Sequence, residues 1–363
     1  MITPKHEHNL EQQLQSWLKR FPADVPVVVV PIYNAYNEVM VCVESLLATL
    51  PGDVPLLLLD DASTDERLPQ TLSALPLGPR GQYGRKAVNS GFVGTVNLAF
   101  NACRPHDVVL VNSDVVVPPR WLERLRAAAY SYPDAASATP LTNSGTILSV
   151  PYRNQPTPEL VAGLTLAEID TRIARASLKL RPLLPTAVGH CVYFRRAALD
   201  KVGYFDPVFA PGYGEEVDFS QRALQAGFCH VAADDLFVFH KGGSSFAGTE
   251  QLPQLKLQQT HALIIHARYP HYRQSIIQAA NNPTSPLAQA LERARQAVLE
   301  ESPAAPQVQP GFVQSSLLRS SRMIRLWQRR GFWPLFYELK EYVGWQLLQF
   351  KPVRLWWLKH KNY

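Results

Sequence analysis

Three acidic residues and a histidine occur within one segment of the sequence, residues 215–240. Glu215, Glu216 and Asp218 begin a predicted helix, and His240 follows the strand-like segment 236–239. A carboxylate can take a proton from a hydroxyl group, and an imidazole can bind a metal ion. This pattern is therefore typical of a catalytic site.

Two earlier acidic segments end apolar, strand-like runs. Asp60-Asp61 ends the first run, and Asn112-Ser113-Asp114 ends the second. Open α/β sheets bind their ligands beyond the carboxyl ends of the strands. Acidic residues gathered at that edge predict a site for a metal ion and a phosphate group.

The elements that must position these residues alternate between strands and helices. The predicted strands are Val25–Tyr33, Leu56–Asp60, Val108–Asn112, Ala135–Leu141 and Thr186–Phe194. The predicted helices are Asn37–Leu50, Gly91–Cys103, Pro118–Tyr132, Pro158–Leu180, Arg196–Val202, Val217–Ala226, Leu252–Arg268 and Leu287–Glu301. This alternation predicts an α/β fold with a mostly parallel sheet covered by helices.

Composition indicates a globular protein, with 46% hydrophobic and 18% charged residues. The four cysteines form no Cys-X-X-Cys pair, so neither a disulfide framework nor a zinc knuckle is predicted. The polar N-terminal segment does not have the pattern of a signal peptide, and no run of 18 apolar residues predicts a membrane span. We therefore expect a cytoplasmic protein.

Positive charge is concentrated at the end of the chain. The net charge is +6, and residues 312–363 contain ten Lys or Arg and two Glu, together with five of the seven tryptophans. The rest of the chain is nearly neutral, which argues against a nucleic-acid partner. We expect four parts: a lead over 1–24, a catalytic domain over 25–272, a helical linker region over 273–311, and a basic aromatic tail over 312–363.

Several motifs together resemble the inverting family 2 glycosyltransferases, which have the GT-A fold. The resemblance covers roughly Val25 to Tyr272. The motifs are Pro31-Ile32-Tyr33-Asn34, Asp60-Asp61-Ala62-Ser63-Thr64-Asp65, Asn89-Ser90-Gly91-Phe92 with Asn97, Asn112-Ser113-Asp114, Gly214-Glu215-Glu216-Val217-Asp218 and His240-Lys241-Gly242-Gly243-Ser244. The chain is most similar to the bacterial enzymes that build O-antigen and other surface polysaccharides.

This resemblance implies a donor site for a nucleotide sugar. It assigns Asp61, with Asp60 beside it, to the base or ribose of the donor; the alternative is a pair of aspartates that stabilises a turn. The other donor-binding residues that it implies are Pro31, Tyr33, Asn34, Asn89, Gly91, Asn97, Asn112 and Ser113. His190 is expected to contact the acceptor or to be structural, and Lys86 to contact phosphate or to be solvated.

The family also implies a divalent cation that bridges the two phosphates of the donor. Asp114 is the expected ligand, and a single carboxylate suits Mg²⁺, which keeps part of its water shell. His240 is the second candidate, and an imidazole ligand would favour Mn²⁺. The alternative for His240 is a hydrogen bond to a backbone carbonyl.

Inversion at the anomeric carbon requires a base for the acceptor hydroxyl. Glu216 is the expected base, at a position where the family usually has aspartate, and Glu215 and Asp218 are the rivals. The alternative is a charged first turn of a helix without a catalytic role.

The tail has the pattern of an amphipathic helix. Its basic residues Arg322, Arg325 and Arg329 share one face, and an apolar stripe runs from Phe332 to Phe350. Such a segment is typical of a membrane interface, and the alternative is packing on the enzyme or on a second subunit.

The sequence thus predicts a metal-dependent inverting glycosyltransferase in cell-surface polysaccharide synthesis. We expect a UDP- or dTDP-sugar donor, a saccharide acceptor that can be lipid-linked, and a peripheral position on the inner face of the bacterial inner membrane. The alternative is a non-catalytic subunit that binds sugar nucleotides. A nucleotidyltransferase is disfavoured because the first strand is not followed by a glycine-rich basic loop.

Overall fold

The computed structural model describes residues 3–300 except 154, 156, 158, 162 and 243–250. The strands are β1 Val27–Ile32, β2 Leu56–Asp60, β3 Gly81–Arg85, β4 Val108–Val111, β5 Val115–Val116, β6 Ala135–Thr142, β7 Leu183–Leu184, β8 Cys191–Phe194 and β9 Cys229–His240. The helices are α1 Thr3–Leu18, α2 Tyr36–Thr49, α3 Arg67–Ala74, α4 Gly91–Ala102, α5 Trp121–Ala129, α6 Leu166–Ala176, α7 Arg196–Val202, α8 Glu215–Gln225, α9 Gln251–Arg268, α10 Tyr272–Asn281 and α11 Pro286–Leu299.

The described strands form a mixed sheet in the order β3-β2-β1-β4-β8-β6-β9-β5, with β7 beside β9. Parallel ladders join β3, β2, β1 and β4 in one half of the sheet and β6 with β9 in the other. Because β8 runs antiparallel to both β4 and β6, it links the two halves. The predicted α/β class with a mostly parallel, helix-flanked sheet is confirmed.

Both faces of the parallel half are covered, as its uninterrupted apolar strands require. In β1, Val28 and Val30 face one hydrophobic core with α2 and α5, whereas Val27 and Val29 face a second core with α1 and α4. This alternation follows from the two-residue period of a strand. A third core lies under α6 and α11.

Because β4 and β8 are antiparallel, polar residues that follow β4 and polar residues that precede β8 lie at the same edge of the sheet. Parallel strands β1, β2 and β4 all end there, and β8 begins there because it is antiparallel to β4, with Val111 opposite Cys191. The Asn112 amide donates to the His190 carbonyl at 3.0 Å. Residues after β1, β2 and β4 are thus next to residues before β8.

Some elements differ from the prediction. Strand β3 was not expected, and β9 is longer than the predicted segment 236–239 because it pairs with β5, β6 and β7 along its length. The predicted helix Pro158–Leu180 is the shorter α6, which begins at the capping box formed by Thr165 and Glu168.

The predicted basic tail and residues 301–311 of the predicted linker lie outside the described residues. None of the described helices has both the length and the apolar character needed to span a membrane.

Candidate active site

A cavity of about 660 Å³ lies at the polar edge of the sheet. It is lined by the predicted site residues Pro31, Tyr33, Asp61, Asn89, Gly91, Asn112, Ser113, His190, Glu215, Glu216 and His240. The predicted residues that do not line it are Asn34, Asp60, Asn97, Asp114 and Asp218. The structure therefore brings most of the predicted site into one space.

Asp61 lines the cavity and is held from behind by a buried lysine. The Lys86 ammonium donates to Asp61 Oδ1 at 2.9 Å and to Thr95 Oγ1 at 3.3 Å, and it also contacts Ser90 Oγ. The Ser90 amide donates to the same carboxylate oxygen at 2.9 Å. Lys86 is thus not solvated: it is 3% exposed and positions the Asp61 carboxylate.

Asp60 and Asn34 stabilise the strand ends next to Asp61. Asp60 accepts hydrogen bonds from the Ser63 amide, the Tyr83 hydroxyl and Arg85, all within 2.9 Å. Asn34 Oδ1 accepts from the amides of Thr64 and Asp65. This is the turn-stabilising role that the sequence left open for the aspartate pair, and it applies to Asp60.

The start of α4 lies against the loop that precedes α8. Gly91 has φ +76°, and a Cβ there would lie 2.6 Å from the Pro211 Cβ, so a side chain has no room. The Asn89 side chain accepts from the Gly91 amide at 2.9 Å. Nearly two turns further along α4, Asn97 exchanges two hydrogen bonds with the Phe205 backbone, which fixes that loop from outside the cavity.

Asp114 and His240 form a pair, with 3.3 Å between Asp114 Oδ1 and His240 Nε2. The other ring nitrogen of His240, Nδ1, is 2.6 Å from the Ser144 carbonyl and must donate to it. Burial, the largest effect, lowers the pKa of His240, but the hydrogen bond and charge of Asp114 and the bond to Ser144 together raise it.

This pair fits a divalent cation with few protein ligands. Because His240 Nδ1 carries a proton for Ser144, Nε2 is the nitrogen that can bind a metal ion, and it faces a carboxylate. Within the described residues no cluster of three or more such side chains is found. The remaining ligands of an ion held here would come from substrate oxygens and water.

Glu215 and Glu216 form a buried acid pair at the start of α8, where Gly214 has φ +97°. Glu215 is 6% exposed; Glu216 is half-buried as a residue, but its Oε2 atom is enclosed. Burial raises the pKa of both carboxyl groups, and the charge of Glu216 raises the pKa of Glu215 further. The pair therefore binds protons more tightly than free carboxyl groups do.

Asp218 points away from this pair and is neutralised by other groups. It accepts from Arg222 at 2.8 Å, from Arg268 at 2.7 Å and from the Tyr269 hydroxyl at 2.8 Å. It is fully buried and does not line the cavity. Its contacts tie α8 to α9, which is a structural role.

His190 lies beside His240, with 5.7 Å between the ring centroids. Its Nε2 donates to the Pro140 carbonyl at 3.2 Å, which leaves Nδ1 as a buried acceptor. Burial, together with the neighbouring His240, lowers the pKa of His190 to about 3. The side chain is therefore a neutral hydrogen-bond acceptor in the wall of the cavity.

Sequence reasoning missed several segments of the wall. Ile32 and Phe92 belong to the predicted motifs but were not assigned to the site, and the missed residues are Thr95, Ser144, Gly145, Thr146, Val188, Gly189, Pro211, Gly212 and Tyr213. The segment 144–146 directly follows β6, so its Ser-Gly-Thr sequence after a predicted strand was an available signal.

Comparison with known families agrees with this architecture. Residues 27–203, a little under half of the chain, match the family model described as glycosyl transferase family 2. This segment is similar to the family 2 glycosyltransferases, and the mixed α/β sheet of the chain is of the kind expected for the GT-A fold. No curated protein sequence matches the chain.

Solved structures of glycosyltransferases share a distant likeness. A mannosyltransferase from Pyrobaculum calidifontis, in complex with GDP-Man and Mn²⁺, is 15% identical with TM-score 0.48, over 97% of this chain and 90% of that one. TarS from S. aureus with UDP-GlcNAc is 18% identical with TM-score 0.45, over 76% and 81%. GalNAc-T7 with UDP, GalNAc and Mn²⁺ is 14% identical with TM-score 0.46, over 66% and 53%, so the match spans about half of that chain.

Proposed function

We propose that this protein transfers a sugar from a nucleotide diphosphate to a saccharide acceptor, with inversion at the anomeric carbon. One observation carries the proposal: a single cavity contains Asp61, the His240 end of the Asp114–His240 pair, and the Glu215–Glu216 pair. These are a polar anchor for a nucleoside, a candidate cation site and a base. The match of residues 27–203 to the family 2 model supports the same reaction class.

The donor would bind along the end of the parallel strands. The nucleoside lies against Pro31, Tyr33 and Asp61, whose carboxylate is held by Lys86. Asp114 and His240 would hold a divalent cation, Mn²⁺ or Mg²⁺. When bound, such an ion neutralises charge on the two phosphates as the leaving group departs.

Glu216 acts as the general base in this proposal. It takes the proton of the acceptor hydroxyl, whose oxygen forms a bond to the anomeric carbon, while the bond from that carbon to the phosphate oxygen breaks and the nucleoside diphosphate leaves. Burial raises the pKa of Glu216, which makes its carboxylate a stronger base. Glu215 is its neighbour in the pair, and Asp218 is occupied by arginines.

The biological setting belongs to the proposal as well. We infer a UDP- or dTDP-sugar as donor, a growing surface polysaccharide such as O-antigen as product, and peripheral membrane contact through residues 312–363. Removal of those residues is expected to abolish sedimentation with anionic vesicles and to leave nucleotide-sugar binding intact, and high salt should release the full chain. Sedimentation unchanged by the deletion would contradict the membrane contact.

A panel of nucleotide sugars tests the reaction. We expect release of nucleoside diphosphate from at least one UDP- or dTDP-sugar in Mn²⁺ and no release in EDTA. In Asp114→Ala the release should be lost, because the diphosphate charge is then uncompensated. Binding of a nucleotide sugar without turnover by the wild type, with any acceptor saccharide, would favour the alternative of a non-catalytic binding subunit.

A further inference from the structure

Four residues that line one part of the cavity each have an enclosed side-chain atom with a lone pair, and these atoms have no hydrogen-bond partner among the described residues outside this group of four. The atoms are Asn112 Oδ1, His190 Nδ1, Glu215 Oε2 and Glu216 Oε2. We call these four residues the lone-pair wall. A buried polar atom without a partner destabilises the folded protein, so a set of four in one cavity points to a ligand with hydroxyl groups. A hydroxyl group can donate to Asn112 Oδ1 and His190 Nδ1, and it can donate to or accept from the two carboxyl groups.

The four residues are next to one another. Asn112 and His190 are joined by a backbone hydrogen bond of 3.0 Å. A Cβ placed on Gly189 would lie 3.5 Å from Glu216 Oε1, so the acid pair packs directly beside the residue before His190. The four residues therefore form one continuous part of the cavity wall.

No basic side chain among the described residues that line the cavity compensates these lone pairs. Of the described residues that line the cavity, none is Lys or Arg. The ammonium of Lys86 lies behind Asp61, where its hydrogen bonds go to Asp61, Ser90 and Thr95. A neutral amide donor such as that of Asn112 does not neutralise a buried charge. A carboxylate on a ligand would thus face lone pairs and carboxyl groups.

We infer that the lone-pair wall selects a neutral sugar with free hydroxyl groups as the transferred unit and rejects a uronic acid. The inference rests on the proposed function, since it assumes a nucleotide-sugar donor. His190 stacks beside His240, the cavity-lining member of the candidate cation pair. The sugar is bonded to the second phosphate, so it is the part of the donor that lies next to this wall.

Matched donor pairs test the inference on the full chain in Mn²⁺. UDP-glucose is compared with UDP-glucuronic acid, UDP-galactose with UDP-galacturonic acid, and GDP-mannose with GDP-mannuronic acid, by calorimetric binding and by nucleotide release. In the pair whose neutral member is used, the uronate should be weaker by roughly 100-fold or more, because its charge is buried without a partner. Equal use of both members would overturn the inference.

Deoxyfluoro analogues of the preferred neutral donor test the need for donors. Fluorine has nearly the size of a hydroxyl group but cannot donate a hydrogen bond. At one or more ring positions the replacement should weaken binding about tenfold, as expected for one lost hydrogen bond in a buried site. Unchanged binding at every position would contradict the role of the lone pairs.

A charge placed in the wall should change the selectivity. Asn112→Lys adds a cation beside the buried lone pairs, and it should reduce the ratio of neutral to uronate binding by about tenfold. Val88→Lys is the matched control: Val88 is 49% exposed and does not line the cavity, so the same added charge should leave the ratio unchanged. An equal change in both variants would show that long-range charge, not the wall, sets the selectivity.

These results separate the two proposals. If no nucleotide and no nucleotide sugar binds the wild type, the proposed function fails and the inference fails with it. If nucleotide sugars are bound and turned over but the uronates are used equally well, only the inference about the lone-pair wall fails.

Discussion

The carboxyl groups in two regions of the cavity differ in whether they have a basic partner. In the region of the proposed nucleoside site, which we call the nucleoside side, Asp61 is bonded to Lys86, and its neighbour Asp60 is bonded to Arg85. At the lone-pair wall, Glu215 and Glu216 are buried and have no basic partner among the described residues. An acid that is bonded to a basic side chain is held in one position, which suits binding. A buried acid without a basic partner lowers stability but remains reactive toward the substrate.

The largest effect on turnover should come from substitution of Glu216, which has no basic partner among the described residues. Glu216→Gln keeps the shape of the side chain but cannot accept a proton, so turnover should fall by roughly two to four orders of magnitude. Donor affinity should be retained, because the nucleoside side is unchanged. Steady-state kinetics and calorimetric titration check both quantities. Full activity would show that Glu216 is not the general base and would leave Glu215 as the candidate.

A paired acid on the same helix should show the reverse pattern. Asp218→Asn removes the charge that compensates Arg222 and Arg268, so the free energy of unfolding should fall by about 3 kcal/mol, the low end for a buried pair because both arginines are partly exposed. Chemical denaturation measures this loss. At a temperature where the variant is folded, turnover per folded molecule should be close to wild type.

The contrast between Glu216 and Asp218 also shows what sequence alone could predict. The motifs at strand ends and at the start of a helix predicted half of the residues that line the cavity. They could not separate Asp218 from Glu215 and Glu216, because the partners of Asp218 include Arg268 and Tyr269, about fifty residues later. Contacts between distant segments depend on packing and leave no local pattern.

The same limit applies to Asp60 and Asp61. Both belong to one motif, but successive residues of a strand point to opposite sides, and Asp60 pairs with Tyr83 and Arg85 of β3. Because β3 was not predicted, these partners could not be foreseen. Lys86 follows β3 directly, so its buried position was hidden for the same reason.

Lys86→Met tests the role of the ion pair between Lys86 and Asp61. Loss of the ammonium frees the Asp61 carboxylate, so the KM for the donor should rise roughly 10- to 100-fold, the value of a hydrogen bond to a charged group, while kcat changes little. Arg85→Met is the matched control, because it removes the ion pair of Asp60, which does not line the cavity. Equal changes of KM in both variants would mean that Lys86 acts only through stability.

The smallest effect should be a dependence of stability on pH. Burial and the charge of Glu216 raise the pKa of Glu215 well above its ordinary value of 4.5. The folded protein therefore binds this proton more tightly than the unfolded chain, and stability is lost as pH rises from 4.5 through the folded pKa. Glu215→Gln removes this loss.

Thermal unfolding across this pH range checks the sign. The melting temperature of Glu215→Gln relative to wild type should rise as the pH increases from 4.5 to 8. A difference that stays constant with pH would show that Glu215 is not held protonated by its surroundings.

The central claim is that Asp61 and Lys86 bind the donor, whereas Glu216 acts in the reaction. Titration of the donor nucleotide sugar into Glu216→Gln and into Lys86→Met tests this claim most directly. Glu216→Gln should bind the donor as tightly as wild type, and Lys86→Met should bind it at least about tenfold more weakly. The opposite result, with donor affinity lost in Glu216→Gln and retained in Lys86→Met, would contradict the account.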